Sequence, residues 1–180
     1  MFARTKRLLL RPGWREDAPA LFRAVADEGI ARNLARLPWP YRMEMAEEWL
    51  AQPQDPAWPS SLIFLRRDGT PELVGGIGVH RSDEGGAELG YWIARARWGQ
   101  GIATEAGRAM IAAARDTLRL PRLGSGHFVD NPASGRVLEK LGFRPTGRVV
   151  PRQSLARGHE VPCRLLELDL AEEDTVAIAA

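Results

Sequence analysis

The chain has 180 residues, 44% apolar and 27% charged, with a formal net charge of +2. Those values suit one folded domain over residues 1–180 and exclude a disordered or membrane-embedded class. No run approaches the ~18 apolar residues needed to span a bilayer. Leu8-Leu9-Leu10 is too short for a secretory core and no small-residue cleavage site follows it, so a cytoplasmic location is expected. The 25 Lys and Arg and 23 Asp and Glu are scattered. A nucleic-acid partner is therefore a minor reading, beside a phosphate-rich cofactor or an ordinary solvated surface. Cys163 is the sole cysteine, so no intrachain disulfide forms; its place in Cys163-Arg164-Leu165-Leu166-Glu167-Leu168 reads as a small apolar strand residue.

Taken in order, residues 5–12 read as a strand ending at Pro12-Gly13. Residues 15–26 carry Ala18, Leu21, Phe22 and Val25 at helical spacing. Residues 27–40 are irregular and close on Leu37-Pro38-Trp39-Pro40. Residues 43–51 predict a short helix, and 52–59 a Pro-rich loop. Strands follow at 61–66, 72–80 and 87–93, joined by turns at Asp68-Gly69 and 82–86. Residues 102–118 give the longest helical pattern, with Ile102, Ala106, Met110, Ala113 and Ala114 on one face. A strand at 121–129, a helix at 131–141 stopped by Gly142, strands at 146–150 and 162–170 and a frayed tail over 171–180 complete the chain. The expected class is α+β: a single mixed, largely antiparallel central sheet with helices on both faces. The strands flanking the long helix should be parallel neighbours.

The segment Leu89-Gly90-Tyr91-Trp92-Ile93-Ala94-Arg95-Ala96-Arg97-Trp98-Gly99-Gln100-Gly101-Ile102-Ala103-Thr104-Glu105-Ala106 runs from strand to Gly-rich turn to helix N-terminus. Unpaired N–H groups and the helix dipole at such a turn favour an anion, and glycines let a bulky pyrophosphate approach. A dinucleotide fingerprint fits poorly: Thr104 stands where its third small residue belongs, and the turn follows an antiparallel meander. No Gly-Lys pair supports a P-loop.

Trp98-Gly99-Gln100-Gly101-Ile102-Ala103-Thr104-Glu105-Ala106 resembles the acyl-CoA motif of the GCN5-related N-acetyltransferase (GNAT) superfamily. Asp130-Asn131-Pro132-Ala133-Ser134-Gly135-Arg136-Val137-Leu138-Glu139-Lys140-Leu141-Gly142-Phe143 resembles its next motif, closest to the RimJ/RimL-like ribosomal-protein alanine acetyltransferase branch. The opening Thr5-Lys6-Arg7-Leu8-Leu9-Leu10-Arg11-Pro12 is similar to that branch too. The resemblance implies the GNAT fold, acetyl-CoA as acyl donor without a metal, and a primary-amine acceptor: a protein N-terminus or a small molecule. A homodimer is a family-level expectation.

By that resemblance, Trp98, Gly99, Gln100, Gly101, Ile102, Ala103 and Thr104 surround the CoA pyrophosphate. Edge groups of Ile93 and Ala94 pair with the pantetheine arm as an added strand would. Asn131 contacts the arm or positions the next helix; Asn131 followed by Pro132 is equally an N-cap. Trp98 stands where the superfamily often has Arg or Gln, so charge toward the phosphates is expected from Arg95 or Arg97. Direct attack by an uncharged amine needs a proton acceptor. Glu88 is the candidate base, placed by strand alternation on one face with Gly90 and Trp92; the alternative is a solvent-exposed strand glutamate. A backbone N–H near Ile93 would meet the oxyanion. Many superfamily members have Tyr at the position of Leu138, which donates nothing; Ser134 is the polar group left on that helix face to serve the leaving sulfur or orient CoA, or else to make a local backbone bond. The acceptor is expected among residues 31–41, the strand of His80 and residues 153–159, with Trp39, Tyr41 and His80 as lining candidates. Loop packing of the aromatics and an ordinary polar role for the histidines compete with that. Three histidines without clustered spacing argue against zinc. A non-catalytic acyl-CoA-binding module on the same fold is the alternative function.

Overall fold

The computed structural model describes residues 1–67, 69–82 and 85–171. The expected turns at Asp68 and at 83–84, and all but the first residue of the expected frayed tail, lie outside those residues. The strands are β1 (Ala3–Arg4), β2 (Leu8–Arg11), β3 (Ser60–Leu65), β4 (Glu72–Arg81), β5 (Ala87–Ile93), β6 (Arg122–Phe128), β7 (Arg144–Ser154) and β8 (His159–Asp169). They form one sheet in the order β1-β2-β3-β4-β5-β6-β8-β7. Every pairing is antiparallel except β5 with β6. The helices are α1 (Ala18–Val25), α2 (Glu28–Ala31), α3 (Met43–Ala51), α4 (Ile102–Asp116) and α5 (Pro132–Lys140).

Strand alternation builds two cores. Ile63 faces Ile102, Met110 and Leu138 of α4 and α5, whereas Leu62 and Phe64 face Leu21, Val25 and Leu50 of α1 and α3. Helices therefore cover both faces, as the sequence predicts. The α3 and β5 boundaries agree with the expected ones, and β5 and β6 are parallel neighbours across α4.

Four stretches differ. The expected strand 5–12 is a hairpin, because Thr5 turns the chain: its N–H donates to the Leu8 carbonyl at 3.0 Å, and its Oγ1 accepts from Leu8 N at 2.9 Å. The helix expected over 15–26 starts as a 3-10 turn over Arg15–Asp17 and becomes α1 only at Ala18, beside Pro19. The expected irregular stretch 27–40 contains α2, capped where the Asp27 side chain accepts from Ile30 N. β7 is longer than expected; as the outermost strand it tolerates both Pro151 and the register shift between Pro145 and Val149.

Candidate active site

The site begins where β5 and β6 part. Their one registered pair is Glu88 with Gly124. One residue further on, the buried Ser125 hydroxyl donates to the Leu89 carbonyl at 2.9 Å, so a side chain spans what a backbone bond spans in a closed ladder. On the far side, β5 is fully paired with β4, from Arg81–Ala87 to Gly75–Ile93. Ala94 N donates to the Val74 carbonyl at 2.8 Å. By alternation, the N–H groups of Tyr91 and Ile93 and the carbonyl of Tyr91 point into the opening toward β6. The sequence resemblance implies Ile93 and Ala94 at that edge. Ile93 stands there, with its carbonyl held by Trp98 Nε1 at 2.7 Å. Ala94 departs from that reading: its N–H serves Val74 and its carbonyl accepts from Arg97 N.

A cleft of about 320 Å³ runs from this opening to the N-terminus of α4. Ile93, Trp98, Gly99, Gly101, Ile102, Ala103 and Thr104 line it on one side, and Asn131, Ser134, Arg136 and Lys140 on the other. Gly99 and Gly101 have φ of 74° and 73°, a left-handed backbone that glycine adopts without the cost other residues bear. A Cβ at Gly99 would meet nothing within 4 Å, and one at Gly101 only Arg7 Nη2 at 3.8 Å. The space in front of both is therefore open to a ligand, and it fits a pyrophosphate over the first-turn N–H groups of α4. Gln100 does not line the cleft. Its carbonyl accepts from both Arg7 Nη1 and Nη2 at 3.1 Å. Arg7 also holds Glu105, whose carboxylate accepts from Arg7 Nε at 2.7 Å, Arg7 N at 2.9 Å and Thr5 Oγ1 at 2.6 Å. Burial alone would raise the Glu105 pKa; the hydrogen bonds from Thr5 and Arg7 outweigh it and hold it below the usual carboxylate value.

The cations differ from expectation. Arg97 borders the cleft, but its guanidinium is bidentate on Glu72, at 2.9 and 2.7 Å. Arg95 lies near Asp27 and over the Trp98 ring. Arg136 and Lys140, four apart on α5, are the further basic side chains lining the cleft; their i,i+4 spacing was the available signal. Asn131 caps α5, its Oδ1 accepting from Ser134 N at 3.3 Å, while also lining the cleft.

A second, larger cleft of about 740 Å³ lies on the α1–α3 side of the opening. It shares Asn33, Leu34, Tyr91, Trp92 and Ser134 with the first. At that junction Tyr91 Oη and Ser134 Oγ are 2.7 Å apart. Tyr91 Oη also donates to the Ser134 carbonyl at 3.3 Å. Burial, partly offset by the Ser134 bond, pushes the Tyr91 phenol up to about 12, so it stays protonated across the physiological range. Sequence reasoning missed Tyr91, because alternation sets it on the face opposite Glu88, Gly90 and Trp92. Leu138 is fully buried in the α4–α5 core.

Glu88 is 8% exposed rather than solvent-facing, at the floor of the larger cleft. Arg152 of β7 donates to both of its carboxylate oxygens, the longer bond being 3.1 Å. His80 and Tyr41 line the same cleft; Tyr41 also stacks on Phe22 with centroids 6.4 Å apart. Trp39 lines neither cleft and is 38% exposed. Leu37 and Tyr41, two positions to either side, take the inward places instead. His159 lies apart from both, its Nδ1 bonded to the Arg157 carbonyl. Cys163 sits in the cleft wall with its thiol pushed up by burial, which suits an inert side chain rather than a nucleophile. Among the described residues no group of three or more His, Cys, Asp or Glu is placed to hold a metal, and no helix is long and apolar enough to cross a membrane.

A cleft with a Gly-rich helix N-terminus at one end, opening at a splayed strand edge into a second cleft, is the arrangement that suits an acyl-CoA-dependent transferase. Comparison with known proteins makes this specific. Residues 7–144 match the acetyltransferase (GNAT) domain family. YoaA of Bacillus subtilis (strain 168), an uncharacterized N-acetyltransferase, is 31% identical over 155 residues, spanning 79% of this chain and 82% of YoaA. A GNAT-family acetyltransferase from Bacillus anthracis superposes with a TM-score of 0.80 at 21% identity, covering 96% of this chain and all of the other. RimL, a ribosomal L7/L12 α-N-protein acetyltransferase solved with coenzyme A, superposes with a TM-score of 0.77 at 18% identity, covering 94% and 98%. The chain belongs to the GNAT acetyltransferase family. It is an N-acetyltransferase that takes its acetyl group from acetyl-CoA.

Proposed function

We propose that acetyl-CoA lies in the smaller cleft, that a primary amine enters through the larger one, and that the amine attacks the thioester directly where the clefts meet. The observation that carries this is their shared wall of Tyr91, Trp92 and Ser134. The N–H of Ile93, aimed into the strand opening, is in place to donate to the oxygen that gains charge. Ser134 is assigned to the departing sulfur. Its hydroxyl proton is free for the sulfur in the arrangement where the protonated Tyr91 phenol, 2.7 Å away, donates to Ser134 Oγ instead of the Ser134 carbonyl. Glu88 is the sole carboxylate lining either cleft among the described residues. It is assigned the amine's proton, directly or through water, with Arg152 fixing its rotamer. The reaction is placed in the cytoplasm. The RimJ/RimL-like resemblance supports a protein N-terminal amine among acceptors, and a homodimer.

Amine-dependent thiol release from acetyl-CoA tests this. Ser134→Ala should lower kcat about tenfold, less than a usual general-acid contribution because thiolates leave readily, with KM for acetyl-CoA little changed. Tyr91→Phe should reproduce that loss, and the double variant should be no worse than either alone, since the two act as one unit. Multiplied losses would separate them. Unchanged kcat in Ser134→Ala would remove Ser134 from the chemistry.

A further inference from the structure

The larger cleft has a construction that selects its occupant. Its floor is the face of β4 and β5 that carries Gly76, Gly78 and His80 opposite Trp92, Gly90 and Glu88. A Cβ at Gly76 would lie 2.5 Å from Trp92 Nε1, with two further indole atoms within 3.3 Å. A Cβ at Gly90 would lie 3.1 Å from His80 Cε1. The indole and the imidazole therefore lie across positions where neighbouring strands would otherwise raise side chains, which leaves the cleft deep and ring-floored. Tyr41, Trp49 of α3 and Trp58 of the loop before β3 wall it. Its volume of about 740 Å³ is that of sites for drug-sized ligands.

Its charges are few. Among the described residues the lining holds Arg36, Arg152 and Glu88 and no other Lys, Arg, Asp or Glu. Glu88 already receives two hydrogen bonds from Arg152. A ligand with several ammonium groups must exchange their hydration for carboxylates. This cleft has one carboxylate to offer, and that one already engages Arg152. An apolar or aromatic group, by contrast, gains both buried area and ring contacts here.

We infer that the acceptor is an amine carried on a bulky apolar or aromatic group with no second positive charge, and that polyamines and aminoglycosides are excluded. This rests on the larger cleft being the acceptor cleft. Free amines and peptide N-termini share this chemistry, so the test includes both.

Binding and turnover are measured separately. With the protein saturated in CoA, calorimetry with tryptamine, a Trp-initiated tripeptide and spermidine should show at least hundredfold tighter binding of one or both indole amines than of spermidine. With acetyl-CoA, kcat/KM should rank the same way, and whichever indole amine turns over identifies the source. Trp58→Ala should cut the kcat/KM ratio of tryptamine or the tripeptide over ethylamine about tenfold. Retained thermal stabilisation by CoA shows that the variant is folded; Tyr41→Ala serves if it is not. Spermidine or kanamycin binding and reacting as well as the indole amines would overturn the inference and leave the transferase reading intact. Hundredfold-selective binding of indole amines with no turnover of any amine would support the inference and overturn the assigned chemistry. Equal binding of all amines overturns the inference.

Discussion

Arg7→Ala isolates what holds the pyrophosphate turn in shape. The side chain clamps the Gln100 carbonyl from two nitrogens and pairs with Glu105. The two donors share one acceptor, so together they contribute about 1 kcal/mol. The Arg7 side chain is 42% exposed, and screening limits its ion pair to below about 1 kcal/mol. The Arg7 N–H bond to Glu105 survives the substitution. Total destabilisation should therefore be about 1–2 kcal/mol, a Tm decrease of roughly 2–4 °C per kcal/mol for a chain of this length. The binding effect is separate. Gln100 lies between two left-handed glycines, so a turn released from Arg7 must be re-ordered on binding. Fixing one residue's backbone costs about 1–2 kcal/mol, which weakens CoA about tenfold. Calorimetric titration of CoA into wild type, Arg7→Ala and Arg7→Lys, with melts of each, measures both effects. Lysine keeps the charge and loses the fork, so Arg7→Lys should resemble Arg7→Ala. A CoA Kd within twofold of wild type, alongside the expected loss in Tm, would refute pre-organisation of the turn by Arg7. Full rescue by lysine would show that only its charge matters.

Gly101→Glu should leave the fold within about 2 kcal/mol of wild type, the cost of a left-handed non-glycine residue, since the space before it is open. It should abolish CoA-induced thermal stabilisation. Glu88→Gln should lower kcat at least tenfold with CoA affinity unchanged, measured by thiol release and calorimetry; an unchanged rate would leave Glu88 a structural partner of Arg152. Asp17 is bidentate with Arg11 at 2.7 and 2.8 Å and accepts from Trp14 N. Burial alone would raise its pKa, but the Arg11 and Trp14 bonds depress it overall. The folded state therefore binds that proton less readily than the unfolded chain. Its stabilisation is fully present above the ordinary aspartate pKa and is lost as pH falls through the depressed folded value. Asp17→Asn should cost about 3–5 kcal/mol at pH 7, as for a broken buried pair. Its stability deficit should shrink on acidification, as read by urea melts from pH 7 to 3.

The cofactor half of the site was legible because its physics is local. A helix N-terminus and glycines at positive φ are contiguous in sequence, and Asn131-Pro132 announces the facing helix in the same way. Helix and strand periods placed α3, α4 and β5 closely because each has one strongly apolar face. The acceptor half is assembled from distant segments. Arg152 reaches Glu88 across 64 positions, and Trp49, Trp58 and Trp92 come from three elements, so no window of sequence contains the cleft. The cations failed for a different reason: Arg95 and Arg97 are adjacent to the turn in sequence, but Asp27 and Glu72 engage them in space.

The separation of β5 from β6 explains why a single sheet supplies both halves. Beyond Glu88 and Gly124 the strands diverge, and β5 keeps its ladder to β4 only. In the proposed reaction its outer edge is the template for an amide-bearing arm, while its glycine-bearing face hollows out the larger cleft. Tyr91 belongs to the exposed edge, and Trp92, the next residue, to the hollowed face. On that proposal one strand sets the spacing of donor and acceptor by the pleat itself. A substitution that closed the gap by restoring a backbone ladder to β6 would remove the donor edge and narrow the acceptor cleft at the same time. Ser125→Val tests that coupling: loss of its bond to the Leu89 carbonyl should shift CoA affinity and acceptor KM together. A change in one alone would show that the two clefts are set independently.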